Sequence, residues 1–215
     1  MGVAAILIPS IILTYEMMLN SNNVIDDSHM PKSYPVGFRD YITSNLILKD
    51  ILASNDIDIS SPIKLSTQNL IEEYCLPFIA EKEHSMIEYC TSTELKNSDS
   101  EFLGNIHMAG SLKEPNLILG AIQIDPFLTQ ERDAKKILNS MILAFVCNCW
   151  KEQKPLNFDS LNSLLDEANQ IHLETLKPKT ISPIITLEDK QLQFIIITNE
   201  QGYEWQFLIT NDHTS

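Results

Sequence analysis

Residues 125–151, DPFLTQERDAKKILNSMILAFVCNCWK, decide how this chain is built. The stretch opens polar and closes as the least polar long run away from the termini. Read as a helix, Ile137, Leu138, Met141, Ile142, Phe145, Cys149 and Trp150 recur at helical spacing on one face. Leu143 and Val146 widen that face until little of the second half is left for solvent. A helix of this character belongs at the centre of a domain, with the remaining segments arranged to cover it.

Working outward toward the N-terminus, residues 116–125 (NLILGAIQID) read as a strand stopped by Pro126, and residues 102–114 as a short strand ending in a turn. Ser92 to Ser100 is polar and reads as a loop. Thr67 to Thr91 has a helical pattern, with Leu70, Ile71, Tyr74 and Phe78 on one face and Met86, Ile87 and Cys90 on another; Pro77 divides it. Residues 55–66 read as a loop, and residues 38–54 as a helix with Tyr41, Leu46, Leu48, Ile51 and Leu52 turned inward.

Toward the C-terminus, a connection containing Pro155 leads to a helix capped by Asn157 or Asp159. Leu161, Leu164, Leu165, Ala168, Ile171, His172 and Thr175 form its spacing, and Pro178 ends it. The clearest strand signal follows: ISPIITL, QLQFIIIT and YEWQFLIT, joined by EDK and NEQG, a three-stranded antiparallel meander. Tyr203, Trp205, Phe207 and Ile209 make the apolar face of its last strand. The order predicts an α+β domain over residues 38–215, with helices packed on a small antiparallel sheet.

The net charge of −14 repels nucleic acid and anionic lipid alike, and no basic run is present, so no nucleic-acid partner is expected. Residues 1–19, MGVAAILIPSIILTYEMML, form an apolar run at the N-terminus with barely the length of a membrane span, and Glu16 lies inside it. No Lys or Arg precedes Lys32 and no small-residue cleavage site follows Leu13, so a cleaved secretory signal does not fit. The expectation is a membrane anchor or signal-like helix over 1–19 and a polar linker over 20–37; the alternative packs residues 1–19 into the core.

Chemistry concentrates in four cysteines. Cys75 and Cys90 each close a Glu-Tyr-Cys triplet, and Cys147 and Cys149 form Cys-x-Cys. In an exported chain an even count implies two disulfides. On a helix, positions i and i+2 point apart, so the expectation pairs Cys147 and Cys149 each with Cys75 or Cys90 rather than with one another. In a cytosolic chain the same four are buried thiols. Metal ligands are a weaker idea: Cys147-x-Cys149, His107-Met108 and Glu81-x-x-His84 supply suitable donors, but no complete site is spelled out. Asp56-x-Asp58 lacks the Gly and Glu of a calcium loop and reads as a turn. His107 reads as a turn residue and His172 as a core histidine.

No phosphate-binding glycine loop, nucleophile elbow or zinc-protease motif occurs. No catalytic residue, metal ligand or cofactor is therefore assigned. The functional expectation is a membrane-tethered or exported, non-catalytic interaction domain facing outside the cytoplasm, its partner another membrane or exported protein. The alternatives are a soluble cytoplasmic partner-binding module or enzyme, or a Cys/His/Met metal-handling protein.

Overall fold

The computed structural model describes residues 38–65, 67–78, 84 and 87–212. The expected anchor over 1–19 and linker over 20–37 lie outside the described residues. Among the described residues no helix is long and apolar enough to cross a membrane.

Over the described residues the fold is α+β, and its antiparallel sheet is large rather than small, with nine strands. In chain order come α1 (Tyr41–Ala53), β1 (Ile57–Ile59), β2 (Ile63–Leu65), α2 (Gln68–Tyr74), β3 (Tyr89–Asn97), β4 (Phe102–Gly110) and β5 (Pro115–Ile124). Then follow α3 (Glu131–Phe145), α4 (Trp150–Gln153), α5 (Leu161–Thr175), β6 (Lys179–Ile181), β7 (Ile185–Leu187), β8 (Lys190–Asn199) and β9 (Gly202–Asn211). The strand order is β1-β3-β4-β5-β9-β8-β6, with β2 also on β3 and β7 also on β8. The expected C-terminal meander is β7-β8-β9, and it joins the rest of the sheet where β9 pairs with β5.

Both sheet edges are broken the same way. Ser-Pro at 61–62 separates β1 from β2, and Ser-Pro at 182–183 separates β6 from β7. Proline cannot donate to a ladder, so it interrupts an edge where it would destroy a central strand. A serine bridges each break: Ser60 donates its N–H to Glu94 O and its Oγ accepts from Glu94 N at 3.0 Å. Ser182 does the same with Phe194, its Oγ accepting from Phe194 N at 2.9 Å. Short, interrupted edges of this kind are poor templates for pairing with another chain.

One face of the sheet, the near face, carries α1, α3 and α5. Leu48 and Leu52 of α1, Leu138 and Met141 of α3, and Leu164 and Leu165 of α5 join Ile106, Ile118, Phe194, Trp205 and Phe207 in one core. The helix α3 crosses β5 at Gly120, where a β-carbon would lie 2.7 Å from Met141 Sδ, so any larger residue would push the Met141 side chain aside. Gly202 serves the tight β8–β9 turn at φ +133°, which other residues resist. Helix ends are capped by side chains: Asp40 accepts from Ile42 N and Thr43 N at α1, and Ser160 with Ser163 forms a reciprocal box at α5. Ser160, not Asn157 or Asp159, is thus the cap of α5.

Several segments differ from expectation. The central helix spans only Glu131–Phe145; Val146 N and Cys147 N both bond to Ile142 O, and the chain leaves the helix there. Leu46 of α1 is exposed and Ile47 is buried instead. Residues read as one loop contain β1 and β2. The helical pattern after Thr67 lasts only to Tyr74, before a 3-10 turn at Leu76–Phe78, and Cys90 lies on a strand. The polar stretch after Thr91 is the body of β3, because Thr91, Thr93 and Leu95 face inward while Ser92, Glu94 and Lys96 alternate with them.

Candidate functional site

The four cysteines form two bonds, and among the described residues none is free. Cys75 pairs with Cys90 across a Cα separation of 6.7 Å, and Cys147 with Cys149 across 5.2 Å. The expected cross-pairing between the two sets is therefore corrected. Its premise was a helix through residue 149, and that helix ends at Phe145. Released from helical geometry, Cys147 and Cys149 come close enough to bond to one another.

The Cys75–Cys90 bond lies on the far face, opposite the helices α1, α3 and α5. Cys90 of β3 stands opposite Ala109 of β4, and His107 stands opposite Ser92, one same-face step along. His107 and Cys90 are thus diagonal neighbours on one face. Cys75, just past the end of α2, ties that helix to this corner. Leu65, Ile71, Cys75, Leu76, Ile87, Cys90, Ala109, Leu117 and Leu119 form a second core, separate from the first. At this corner the donor atoms of Cys75, Cys90 and His107 lie within 4.8 Å of one another, all three residues buried. Burial holds the His107 imidazole down at about 4, so it is neutral at physiological pH. His107 is therefore a mid-strand residue of an apolar layer, not the turn residue expected.

The Cys147–Cys149 bond lies at the opposite kind of place, in the short link between α3 and α4. Cys147 is buried, Cys149 is half-buried and Asn148 between them is exposed. Glu188, in the turn before β8, comes within 4.8 Å of both sulfurs with one carboxylate oxygen. That carboxylate also accepts from the Gln153 amide of α4. Trp150 anchors the link from beneath by donating its indole N–H to Phe158 O at 3.2 Å.

The remaining candidates do not converge. Glu81, of the Glu81-x-x-His84 pair, lies outside the described residues. Asp56 occupies a left-handed turn and Asp58 the strand β1. His172, on α5, is 2% exposed; its Nδ1 meets Thr180 Oγ1 at 2.8 Å and its Nε2 meets Thr198 Oγ1 at 2.9 Å. It is a bonded core histidine. The residue that sequence reasoning missed is His107 as the neighbour of a cysteine pair. The period-two alternation His107, Ala109 along β4 was the available signal, but it yields the contact only once β3 is seen to be a strand. Comparison of the chain with protein-family models, with curated proteins and with solved structures finds no match.

Proposed function

We propose that the chain is a non-catalytic interaction domain that works outside the cytoplasm, held to a membrane through residues 1–19 and partnered by another exported or membrane protein. One observation carries this: all four cysteines are engaged in two disulfides, one of them clamping a separate layer onto the sheet. Disulfides persist in oxidising compartments and are reduced in the cytosol. The strong negative charge argues in the same direction, keeping the domain off anionic head groups and leaving its apolar contacts to protein partners.

The test is fractionation of the native cell followed by thiol counting on the full-length chain. The expected result is protein in the membrane pool, resistant to salt extraction, with no alkylatable thiol until a reductant is added. An impermeant amine label added to intact cells should then modify the domain. Protein in the soluble pool with four thiols reactive on denaturation would overturn the proposal and leave the cytoplasmic alternatives.

A further inference from the structure

Three buried donors at one corner of the far face point to chemistry that the disulfide conceals. We propose that Cys75, Cys90 and His107, once the disulfide is reduced, bind a thiophilic d10 ion, Zn(II) or Cu(I), so that metal replaces the covalent bond as the clamp on the far-face layer. The inference concerns the reduced chain only, and so describes a state reached where a thiol reductant meets the oxidised form on which the proposal above rests.

The geometry carries it. Cys90 and His107 are fixed by the register of β3 on β4, so two of the three donors stand on rigid, fully paired strands. The third, Cys75, is brought by α2 and the apolar contacts of Ile71 and Leu76. All three donor atoms already lie within 4.8 Å of one another. A tetrahedral ion with bonds of about 2.3 Å to sulfur and about 2.0 Å to nitrogen holds its donors roughly 3.5–3.8 Å apart. The 6.7 Å between the Cys75 and Cys90 Cα atoms leaves room for the sulfurs to part to that distance by side-chain rotation. Ala109, directly opposite Cys90, contributes only a methyl group to the space between the donors.

The chemistry balances. A cellular dithiol gives up two electrons and two protons to the S–S bond and leaves as its own disulfide, producing the two Cys thiols. An incoming aqueous Zn(II) then displaces two protons, forms two Zn–S bonds and one bond to the imidazole, and keeps one of its waters as the fourth ligand, while Cu(I) displaces the same two protons and sheds all its solvent ligands. Two thiolates and a neutral imidazole around Zn(II) carry no net charge, which suits an apolar layer. Cu(I) suits the same soft donors and accepts three-coordination. The other cysteine pair lacks an imidazole: its third donor is the Glu188 carboxylate, a harder ligand.

The experiment uses the full-length chain reduced with a phosphine, which leaves as the phosphine oxide with its oxygen taken from water. Zn(II) and, separately, Cu(I) are titrated in competition with a chromophoric chelator. In a Cys147→Ser/Cys149→Ser variant the expected result is one bound ion when reduced and none when oxidised. His107→Asn should weaken affinity at least about tenfold, and Co(II) in place of Zn(II) should show a thiolate charge-transfer band that Cys75→Ser/Cys90→Ser abolishes. Because those variants risk misfolding, the reduced wild-type chain is also alkylated with and without Zn(II) and mapped by mass. Protection of Cys75 and Cys90 over Cys147 and Cys149 supports the site. Equal protection of all four, protection of the other pair, no uptake by the reduced chain, or affinity indifferent to His107→Asn would each overturn it.

Discussion

On its near face the sheet carries helices of thirteen and fifteen residues whose inner sides merge with Phe194, Trp205 and Phe207 into one continuous core. On its far face the described cover is a seven-residue helix and a 3-10 turn lying over β3, β4 and β5, joined to the sheet by Cys75–Cys90. A seven-residue helix has no stability of its own in water, and one buried Ile and one buried Leu give it little purchase. The near face is held by packing, and the far layer by packing plus a bond. That difference says where the chain should fail when each support is removed in turn.

The largest effect is expected on the near face. Phe207→Ala removes a fully buried ring from the centre of β9 and should cost about 3–5 kcal/mol in urea denaturation. Its neighbour Leu208 points the other way and is half-buried, so Leu208→Ala should cost no more than about 1.5 kcal/mol on the same assay. Equal losses would break the comparison between the faces.

Next in size is the clamp. Cys75→Ala/Cys90→Ala opens a loop closed over a separation of fifteen residues, which the chain-entropy account values at about 3 kcal/mol. The loss should also be local: hydrogen exchange should accelerate in residues 68–78 before it does in α3 or α5. Uniform acceleration would mean that the two layers unfold as one. Cys147–Cys149 closes a separation of only two residues, and the same account gives about 1.5 kcal/mol or less. Cys147→Ala/Cys149→Ala should therefore leave the denaturation midpoint closer to that of the unaltered chain. A cost as large as that of the first pair would show that the link from Phe145 to Trp150 depends on its bond.

The near face was the more legible of the two in the sequence, for physical reasons. The helices α3 and α5 and the strands β5, β8 and β9 carry large apolar side chains at their proper periods, and Tyr203, Trp205, Phe207 and Ile209 announce a buried face without help. The far layer and its strand do not. The inward positions of β3 include Thr91 and Thr93, whose hydroxyls disguise a buried strand as a polar loop. Short strands such as Ile57–Ile59 and Ile63–Leu65 exist only because β3 offers them an edge. The break after Phe145 has neither Gly nor Pro to mark it, so the apolar spacing runs on through Cys149 and hides the Cys147–Cys149 pairing. Cysteine identities were visible from the start; their partners required the ends of the helices.

The smallest expected effect concerns His172, the near-face counterpart of buried His107. Burial lowers its pKa below the ordinary value of 6.5. Above about pH 6.5 the imidazole is neutral in both folded and unfolded chains, and its contribution to stability is complete. As pH falls through that value the unfolded chain takes up a proton that the folded chain refuses, so stability declines until the folded pKa is passed. The decline is modest because Thr180 Oγ1 and Thr198 Oγ1, at 2.8 and 2.9 Å, can accept from both N–H groups of an imidazolium. Protonation then costs desolvation but no hydrogen bond. His172→Asn should lower stability at every pH, through the lost bonds, while flattening the slope on the acid side of pH 6.5. Denaturation of both chains across that range isolates this residue, since His107 and the carboxylates contribute alike to each. Parallel curves would place the acid sensitivity elsewhere, with the far-face histidine the first to substitute.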